Sequence, residues 1–175
     1  MKIGKNFQNL GEIEKWNSDC LEIGDNCLLG TESKIILHGP ILPYRENNKV
    51  VFGDLSWVGF RSTILMGTKL GRGCLVATNT VTNKEYAPYS IIAGNPGKVL
   101  RKRDGKEFLS FYVIRILMNA VLGTVHPNWS LLTMEHVKYA LGHNTSEPYD
   151  ENLNLDSMTI DDVFEHFEID KKIKD

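Results

Sequence analysis

The chain has 175 residues, 42% of them hydrophobic, which is enough for one domain with a full core or for one domain and an appendage. Its 20 basic and 22 acidic residues leave a formal net charge of −2. Proteins that bind nucleic acid usually carry a basic excess on one face, so we expect no nucleic-acid partner.

The cysteines favour a reducing compartment. There are three, at Cys20, Cys27 and Cys74, an odd number without CxxC spacing, and no charged leader followed by an apolar run precedes them. We therefore expect a cytoplasmic protein. The most apolar stretch, residues 108–122, contains Arg115 and Asn119 and is shorter than the ~20 residues that span a bilayer. This stretch predicts a buried helix and no membrane span, with a peripheral membrane role as the lesser alternative.

The first third of the chain carries a period of six residues. Ile3 and Gly4 mirror Ile23 and Gly24, and an apolar column with this period then follows, at Ile23, Leu29, Ile35 and Ile41. Small side chains, Cys27 and Ser33, occupy the fifth position of these blocks. The column is followed by "GPILPYRENN", residues 39–48, which predicts a loop directly after His38.

The period is clearest over residues 52–81. The first position of each block is apolar (Phe52, Val58, Ile64, Leu70, Val76), and the fifth is small (Ser56, Ser62, Thr68, Cys74, Thr80). A helix would place successive residues of a six-residue period on opposite faces. The pattern instead predicts a stacked β-solenoid in which each first residue points inward and packs on its equivalent three blocks later. Gly53, Gly59 and Gly71 follow the apolar position, where the turn disfavours bulk or needs unusual backbone angles.

The regular frame ends after Val81. Residues 82–103, with "AGNPG" at their centre, predict turns and short strands. From Asp104 the pattern becomes helical, with predicted helices in "KEFLSFYVIRILMNAVLG", "NWSLLTMEHVKYALG" and "TIDDVFEHFEI". Thr159 and Asp162 have capping-box spacing at the start of the last of these. We therefore expect two domains, residues 1–103 and 104–175.

The blocks "IGDNCL", "FGDLSW", "VGFRST" and "LGRGCL", followed by "AGNPGKVLRKR", resemble the hexapeptide-repeat acyltransferases. The resemblance is closest to the sugar and xenobiotic O-acetyltransferases, the group that contains galactoside and maltose acetyltransferases, and runs from about Met1 to Arg103. It implies an all-β solenoid, a left-handed parallel β-helix, which here has a C-terminal α-helical extension. It also implies acetyl-CoA as acyl donor, no metal, and a homotrimer with active sites between subunits.

His38 is the candidate catalytic residue. It is the only histidine in the repeat region, and in this family a histidine just before the protruding loop is the general base. An unperturbed imidazole titrates near neutral pH and therefore suits removal of a proton from an attacking hydroxyl. Relatives usually have glycine before this histidine, where Leu37 stands here. The acceptor is therefore left open among a sugar, a polysaccharide and a small xenobiotic.

The donor side is implied by position in the same family. The positions along the expected path of acetyl-CoA are Trp57, Phe60, Thr78, Asn83 and Lys84, and the cations expected to face its phosphates are Lys98 and Arg101. "KVLRKR" can equally be a solvated charge run before a helix, and Trp57 can equally be a packing residue.

Three other functions are compatible with a solenoid of this kind. A zinc hydratase of the γ-carbonic anhydrase type is disfavoured, because a catalytic zinc needs three protein ligands and the repeat region supplies one histidine. An N-acetyltransferase acting on an amino sugar or nucleotide sugar would differ only in its acceptor pocket. A non-catalytic β-helix scaffold would lack acetyl-CoA binding.

Overall fold

The structure, a computed structural model, describes residues 1–39, 48–110 and 132–169. The chain divides into two compact units, Met1–Arg103 and Asp104–Asp175. The first unit consists of short β-strands and the described part of the second is helical.

The strands of the first unit form three sheets, which the chain visits in the repeated order A, B, C. Sheet A contains β1 (Lys2–Ile3), β4 (Leu21–Ile23), β7 (Val50–Phe52), β10 (Lys69–Leu70) and β13 (Glu85–Tyr86). Sheet B contains β2 (Gln8–Asn9), β5 (Leu28–Leu29), β8 (Trp57–Val58), β11 (Leu75–Val76), β14 (Ser90–Ala93) and β15 (Lys98–Lys102). Sheet C contains β3 (Glu12–Ile13), β6 (Lys34–Ile35), β9 (Thr63–Ile64) and β12 (Val81–Thr82). Each strand up to β11 pairs in parallel with the strand three places later in the chain, so one turn of the coil consists of three strands. The one antiparallel pair is β14 with β15.

The inward column of the coil confirms the six-residue period. Phe52 pairs with Leu70, Val58 with Val76 and Ile64 with Thr82, each partner being three blocks later along the chain. The apolar members of the column over residues 23–76 are at most 4% exposed, apart from Ile41, which lies outside the described residues. Burial of this column supplies the hydrophobic stabilisation of the solenoid.

The small column lies at the corners between sheets and links one coil to the next. The hydroxyl of Ser33 donates to the Gly59 carbonyl over 2.6 Å, and that of Ser62 donates to the Ala77 carbonyl over 2.8 Å. Cys27 and Cys74 are fully buried in the same column, and the Cys27 thiol lies 3.2 Å from the Gly53 carbonyl oxygen. A small side chain that can donate satisfies a corner carbonyl that no strand partner reaches. The two buried cysteines are therefore structural.

The glycines after the inward column are required by close approach and not by their backbone angles. A Cβ at Gly59 would lie 2.8 Å from the Val76 carbonyl oxygen, which is closer than real Cβ contacts. Positive φ angles occur two residues later, at Leu55 (63°) and Arg61 (56°). Of the two reasons predicted for these glycines, lack of space is therefore the one that applies at Gly59.

The six-residue frame extends one block further than predicted. Thr82 occupies the inward position after Val76, is fully buried, and shares a 3.1 Å hydrogen bond with the hydroxyl of Thr68. The six-residue spacing then ends, because the next inward residue, Tyr86, follows Thr82 after four positions instead of six. The sequence pattern did not reveal this block because Thr82 is polar where the period calls for an apolar residue. Its buried hydroxyl is tolerated because it is hydrogen-bonded to Thr68.

The second unit has two short described helices, α1 (Met134–Ala140) and α2 (Ile160–His166), and residues 105–110 are also helical. The predicted capping box at α2 is confirmed: Thr159 Oγ1 accepts from the Asp162 N–H, and Asp162 Oδ2 accepts from the Thr159 N–H. Most of the helix predicted over 106–123 lies outside the described residues. In the parts of the chain that the structure describes, no helix is both long and apolar enough to cross a bilayer.

Candidate functional site

His38 lies just beyond β6, where the chain leaves sheet C. The turns that lead from sheet C back to sheet A form what we call the CA corner; its described residues are 14–20, 36–39, 48–49, 65–68 and 83–84. The backbone remains in register as far as Ile36, whose N–H donates to the Ile64 carbonyl over 2.9 Å. Leu37 turns into the core and is fully buried, whereas the side chain of His38 is 56% exposed. The leucine that precedes the histidine is thus a core residue.

The carboxylate of Glu14 holds this segment from the preceding coil. Its Oε1 lies 2.5 Å from His38 Nδ1, and its Oε2 accepts from the Leu37 N–H over 2.7 Å. A carboxylate is an acceptor only, so Nδ1 must carry the proton of a neutral imidazole in this pair. Nε2 is then the unprotonated nitrogen, on a ring that is largely exposed. This is the arrangement that a general base requires.

Asn17 provides a second link between the two coils. Its side-chain amide donates to the Leu37 carbonyl over 3.3 Å, and its own carbonyl accepts from the Cys20 N–H over 2.8 Å. Its φ of 54° lies in the left-handed region, which asparagine tolerates better than most residues do. Both backbone groups of Leu37 are therefore bound by the loop between β3 and the 3₁₀ turn Ser18–Cys20.

Glu14 carries no signal in the sequence that would pair it with His38. Ile3 pairs with Ile23, 20 positions later, but in sheet C Ile13 pairs with Ile35, 22 positions later. An offset of 20 would have placed Glu14 beside Lys34. Only the observed register brings the glutamate to His38.

Two of the predicted donor residues lie at a different corner. The turns from sheet B to sheet C form what we call the BC corner; they include residues 59–62 and 77–80. Phe60 and Thr78 are both exposed there, one coil apart, and Asn79 N–H donates to the Phe60 carbonyl over 3.0 Å. The guanidinium of Arg61 lies 4.7 Å from the centre of the Phe60 ring. This corner thus presents an aromatic surface beside a cation.

The other predicted donor residues fall into two groups. Asn83 and Lys84 are exposed at the CA corner, two coils beyond His38, and the Lys84 ammonium lies 5.7 Å from the centre of the Tyr86 ring. Trp57 is half-buried on β8, separated from the β15 residues Lys98 and Arg101 by strands β11 and β14.

The predicted residues therefore do not form one cluster. His38, Asn83 and Lys84 lie along one edge of sheet C, and Phe60 and Thr78 lie along its other edge. Lys98 and Arg101 are exposed on β15, at the end of sheet B. Neither Lys84 nor Lys98 forms an ion pair with a described carboxylate, so their charges face solvent. Such cations suit a ligand that carries several phosphate charges.

No metal-binding arrangement accompanies His38 in the described residues. Within residues 1–39, 48–110 and 132–169, no group of three or more histidine, cysteine, aspartate or glutamate side chains could hold a metal ion.

Comparison with known proteins places the periodic region in a defined family of sequences. A family model described as "Hexapeptide repeat of succinyl-transferase" matches residues 21–41 and 49–83. The match stops at the loop after β6 and resumes just before β7, so it covers the coils that carry His38 and the BC corner.

Several curated proteins are similar to the same region. A probable macrolide acetyltransferase of Lysinibacillus sphaericus is 33% identical over 94 residues, which are 54% of this chain and 51% of that protein. The putative acetyltransferase YvoF of Bacillus subtilis is 26% identical over 106 residues, 59% of this chain and 62% of that protein. A chloramphenicol acetyltransferase of Escherichia coli is 33% identical over 67 residues, 38% of this chain and 32% of that protein. The chain thus spans between a third and three fifths of the length of these relatives.

Proposed function

We propose that the chain is an acetyl-CoA-dependent O-acetyltransferase of the hexapeptide-repeat kind, since its periodic region matches the hexapeptide-repeat model and is similar to proteins named as acetyltransferases. Its three-sheet parallel coil fits the β-helix expected from that resemblance, from which we also take the left hand. The observation that carries the proposal is the exposed imidazole of His38, whose Nδ1 is held by Glu14, so that Nε2 is left as the unprotonated nitrogen.

In this reaction His38 acts as the general base. Nε2 accepts the proton of the acceptor hydroxyl as the hydroxyl oxygen bonds to the acetyl carbon. It then returns the proton to sulfur as the thioester bond breaks, so the products are an acetyl ester and the free thiol of CoA. The Glu14 carboxylate, 2.5 Å from Nδ1, stabilises the imidazolium that exists between the two transfers. Glu14 is thus a positioning residue.

We assign the donor to the exposed surface on both edges of sheet C. Phe60 and Thr78 would contact the pantetheine arm together with Trp57, Asn83 and Lys84, and Lys98 and Arg101 would face the phosphates. Because Asn83 and Lys84 lie at the CA corner, Phe60 and Thr78 lie at the BC corner, and Lys98 and Arg101 lie at the end of sheet B, a groove that uses all of them needs a second protomer. A homotrimer supplies it, with the CA corner of one protomer facing the BC corner of the next.

The acceptor is a hydroxyl-bearing small molecule. Relatives are named as macrolide and chloramphenicol acetyltransferases, which supports a xenobiotic or a sugar-like alcohol as the class. An amino-sugar acceptor would use the same base but would give an amide. No feature of the described residues favours that outcome over ester formation.

Acetyl-CoA binding is the first test. Calorimetry on the purified full chain, with its mass measured by light scattering on the same sample, should give one site per chain in a trimer. A well-folded protein that binds no acetyl-CoA would overturn the enzyme proposal in favour of a scaffold.

The second test is the base. His38→Ala should lower kcat for thiol release by about 10²-fold to 10⁴-fold, the usual contribution of a general base, while the Kd for acetyl-CoA stays within about twofold. His166→Ala, a histidine exposed on α2, is the matched control and should retain full turnover. Unchanged turnover in His38→Ala would remove His38 from the mechanism.

A further inference from the structure

The first coil of the solenoid, residues 1–20, leaves one end of the hydrophobic core open. Its strands β1, β2 and β3 pair only with β4, β5 and β6, and each lies at the edge of its sheet. The inward residue Ile3 is 47% exposed, whereas Ile23, its partner in the next coil, is 4% exposed. The difference arises because coils cover Ile23 on both sides and Ile3 on one side only.

The backbone of the first coil is open in the same direction. In the second coil, the carbonyl of each inward residue accepts from an N–H of the first coil, over 2.8 Å at Ile23, 2.9 Å at Leu29 and 3.0 Å at Ile35. The equivalent carbonyls of the first coil belong to Ile3, Asn9 and Ile13 and point the same way, where no strand of the described residues lies. Open strand edges of this kind are a template for further strands.

The first coil also carries most of the exposed apolar side chains. In the described part of the chain, the exposed large hydrophobic residues of this coil are Met1, Ile3, Leu10 and Trp16, and those elsewhere are Phe60, Val99 and Leu100. A solenoid usually ends in a repeat with a polar outer face. Here two of the three inward positions of the end coil are isoleucines, Ile3 and Ile13. Apolar groups beside open edges indicate a surface that binds a partner.

The shape of this end selects the partner. Its three open edges are two residues long and belong to the three sheets of one coil, so they lie around the three sides of the core. A single peptide strand pairs with one such edge and leaves the other two open. The end of a second coil presents three edges in the same arrangement, together with an apolar centre that covers Ile3 and Ile13.

The charges of the first coil favour a second copy of the same chain. They comprise lysines and carboxylates in equal number, Lys2, Lys5 and Lys15 against Glu12, Glu14 and Asp19. A partner of one charge sign, such as a nucleic acid or an anionic membrane, would meet as many like charges as opposite ones. Two copies face each other with no excess of either sign, so neither repels the other.

The opposite end of the solenoid presents a different surface. There sheet B continues into the antiparallel pair β14 and β15, while sheets A and C end at β13 and β12. Head-to-tail stacking would therefore join unlike ends and would continue without limit. Contact between two first coils instead closes on itself under a two-fold axis, the commonest symmetry of protein dimers.

We propose that the first coil is a self-association surface, on which the first coil of a second copy of this chain stacks end to end. A two-fold axis relates the copies, their facing strands are antiparallel, and Ile3 and Ile13 become buried. This inference uses neither His38 nor acetyl-CoA. Each copy keeps its place in the trimer proposed above, so the complete assembly is two trimers.

The mass of the full chain in solution tests this contact. In sedimentation velocity and light scattering, wild type should have twice the mass of Ile3→Glu, because that substitution places a carboxylate in the apolar centre of the contact. Val99→Glu is the matched control and should keep the wild-type mass, since Val99 is 49% exposed on β15, against 47% for Ile3.

Hydrogen exchange separates loss of the contact from loss of the fold. In Ile3→Glu, the amides of residues 1–13 should exchange faster than in wild type, while those of residues 50–64, in the interior coils, should keep wild-type protection. If residues 50–64 lose protection as well, Ile3→Ser, a milder change at the same position, takes the place of Ile3→Glu in both measurements.

The number of chains distinguishes this inference from the proposed trimer. A fall from six chains to three in Ile3→Glu would support both, and a fall from two chains to one would support end-to-end stacking and refute the trimer. A wild type whose mass and exchange in residues 1–13 equal those of Ile3→Glu would overturn the inference. So would a fall from three chains to one, which would place Ile3 in the trimer contact.

Discussion

Replacing Glu14 by glutamine tests whether the carboxylate controls the tautomer of His38. The substitution keeps the size of the side chain but leaves one oxygen and one amide nitrogen in place of two oxygens. Two groups compete for that oxygen: the N–H of buried Leu37, now 2.7 Å from Oε2, and the Nδ1–H of His38, now 2.5 Å from Oε1. Either choice leaves one of them facing an amide N–H₂.

The magnitude follows from these two choices. If the oxygen stays with Leu37, the amide N–H₂ faces Nδ1, and the imidazole must carry its proton on Nε2, which can then no longer accept one. Turning the amide restores the active tautomer but leaves the Leu37 N–H unsatisfied, at about 1–3 kcal/mol. Loss of the charge-assisted hydrogen bond to the imidazolium costs about 1.5–3 kcal/mol more. Together they lower kcat by about 10²-fold to 10⁴-fold.

The assay is thiol release from acetyl-CoA in the full chain with the acceptor that wild type uses best. KM for acetyl-CoA should remain unchanged, because the donor residues are untouched. Glu12→Gln is the matched control: Glu12 is on β3, two residues before Glu14, and its exposed ion pair with Lys34 is worth little. A kcat for Glu14→Gln within twofold of wild type, with Glu12→Gln also unchanged, would refute the tautomer argument.

Two further predictions concern stability. Thr82→Val should lower the free energy of unfolding in urea by about 1–3 kcal/mol, because it leaves the buried hydroxyl of Thr68 without its 3.1 Å partner. The double variant with Thr68→Val should recover most of that loss. A double variant as unstable as the single one would contradict the pairing. In the helical unit, the hydrogen bond from Lys138 lowers the pKa of Asp156 below its ordinary value. The stabilisation that the ionised Asp156 provides is therefore complete above about pH 4, the ordinary pKa of an aspartate, and is lost as the pH falls through the lowered pKa. The difference in Tm between wild type and Asp156→Asn should therefore be fully present at pH 5 and shrink as the pH falls below about 4. A difference that stays constant down to pH 2 would show that this ion pair does not contribute.

The sequence by itself determined the elements whose signal is local and repeated. An apolar residue every six positions, as in Val58 and Ile64, predicts a coil because each such residue must be buried on its equivalent in the next turn. The capping box of Thr159 and Asp162 was equally readable, since both partners lie within one turn of helix. His38 was readable from its place before a loop, through resemblance to a family.

Only the tertiary structure decided what stands beside His38. Glu14 lies more than 20 positions earlier, in a coil whose offset to the next changes from 20 in sheet A to 22 in sheet C. In sheet A, the offset between paired residues is 18 positions from Phe52 to Leu70, which is the regular value. From Ile23 to Phe52 it is 29 positions, 11 more than the regular value. Irregular corners absorb these extra residues without changing the inward pattern. The periodicity therefore predicts that coils stack, while the folded corners decide which side chains meet.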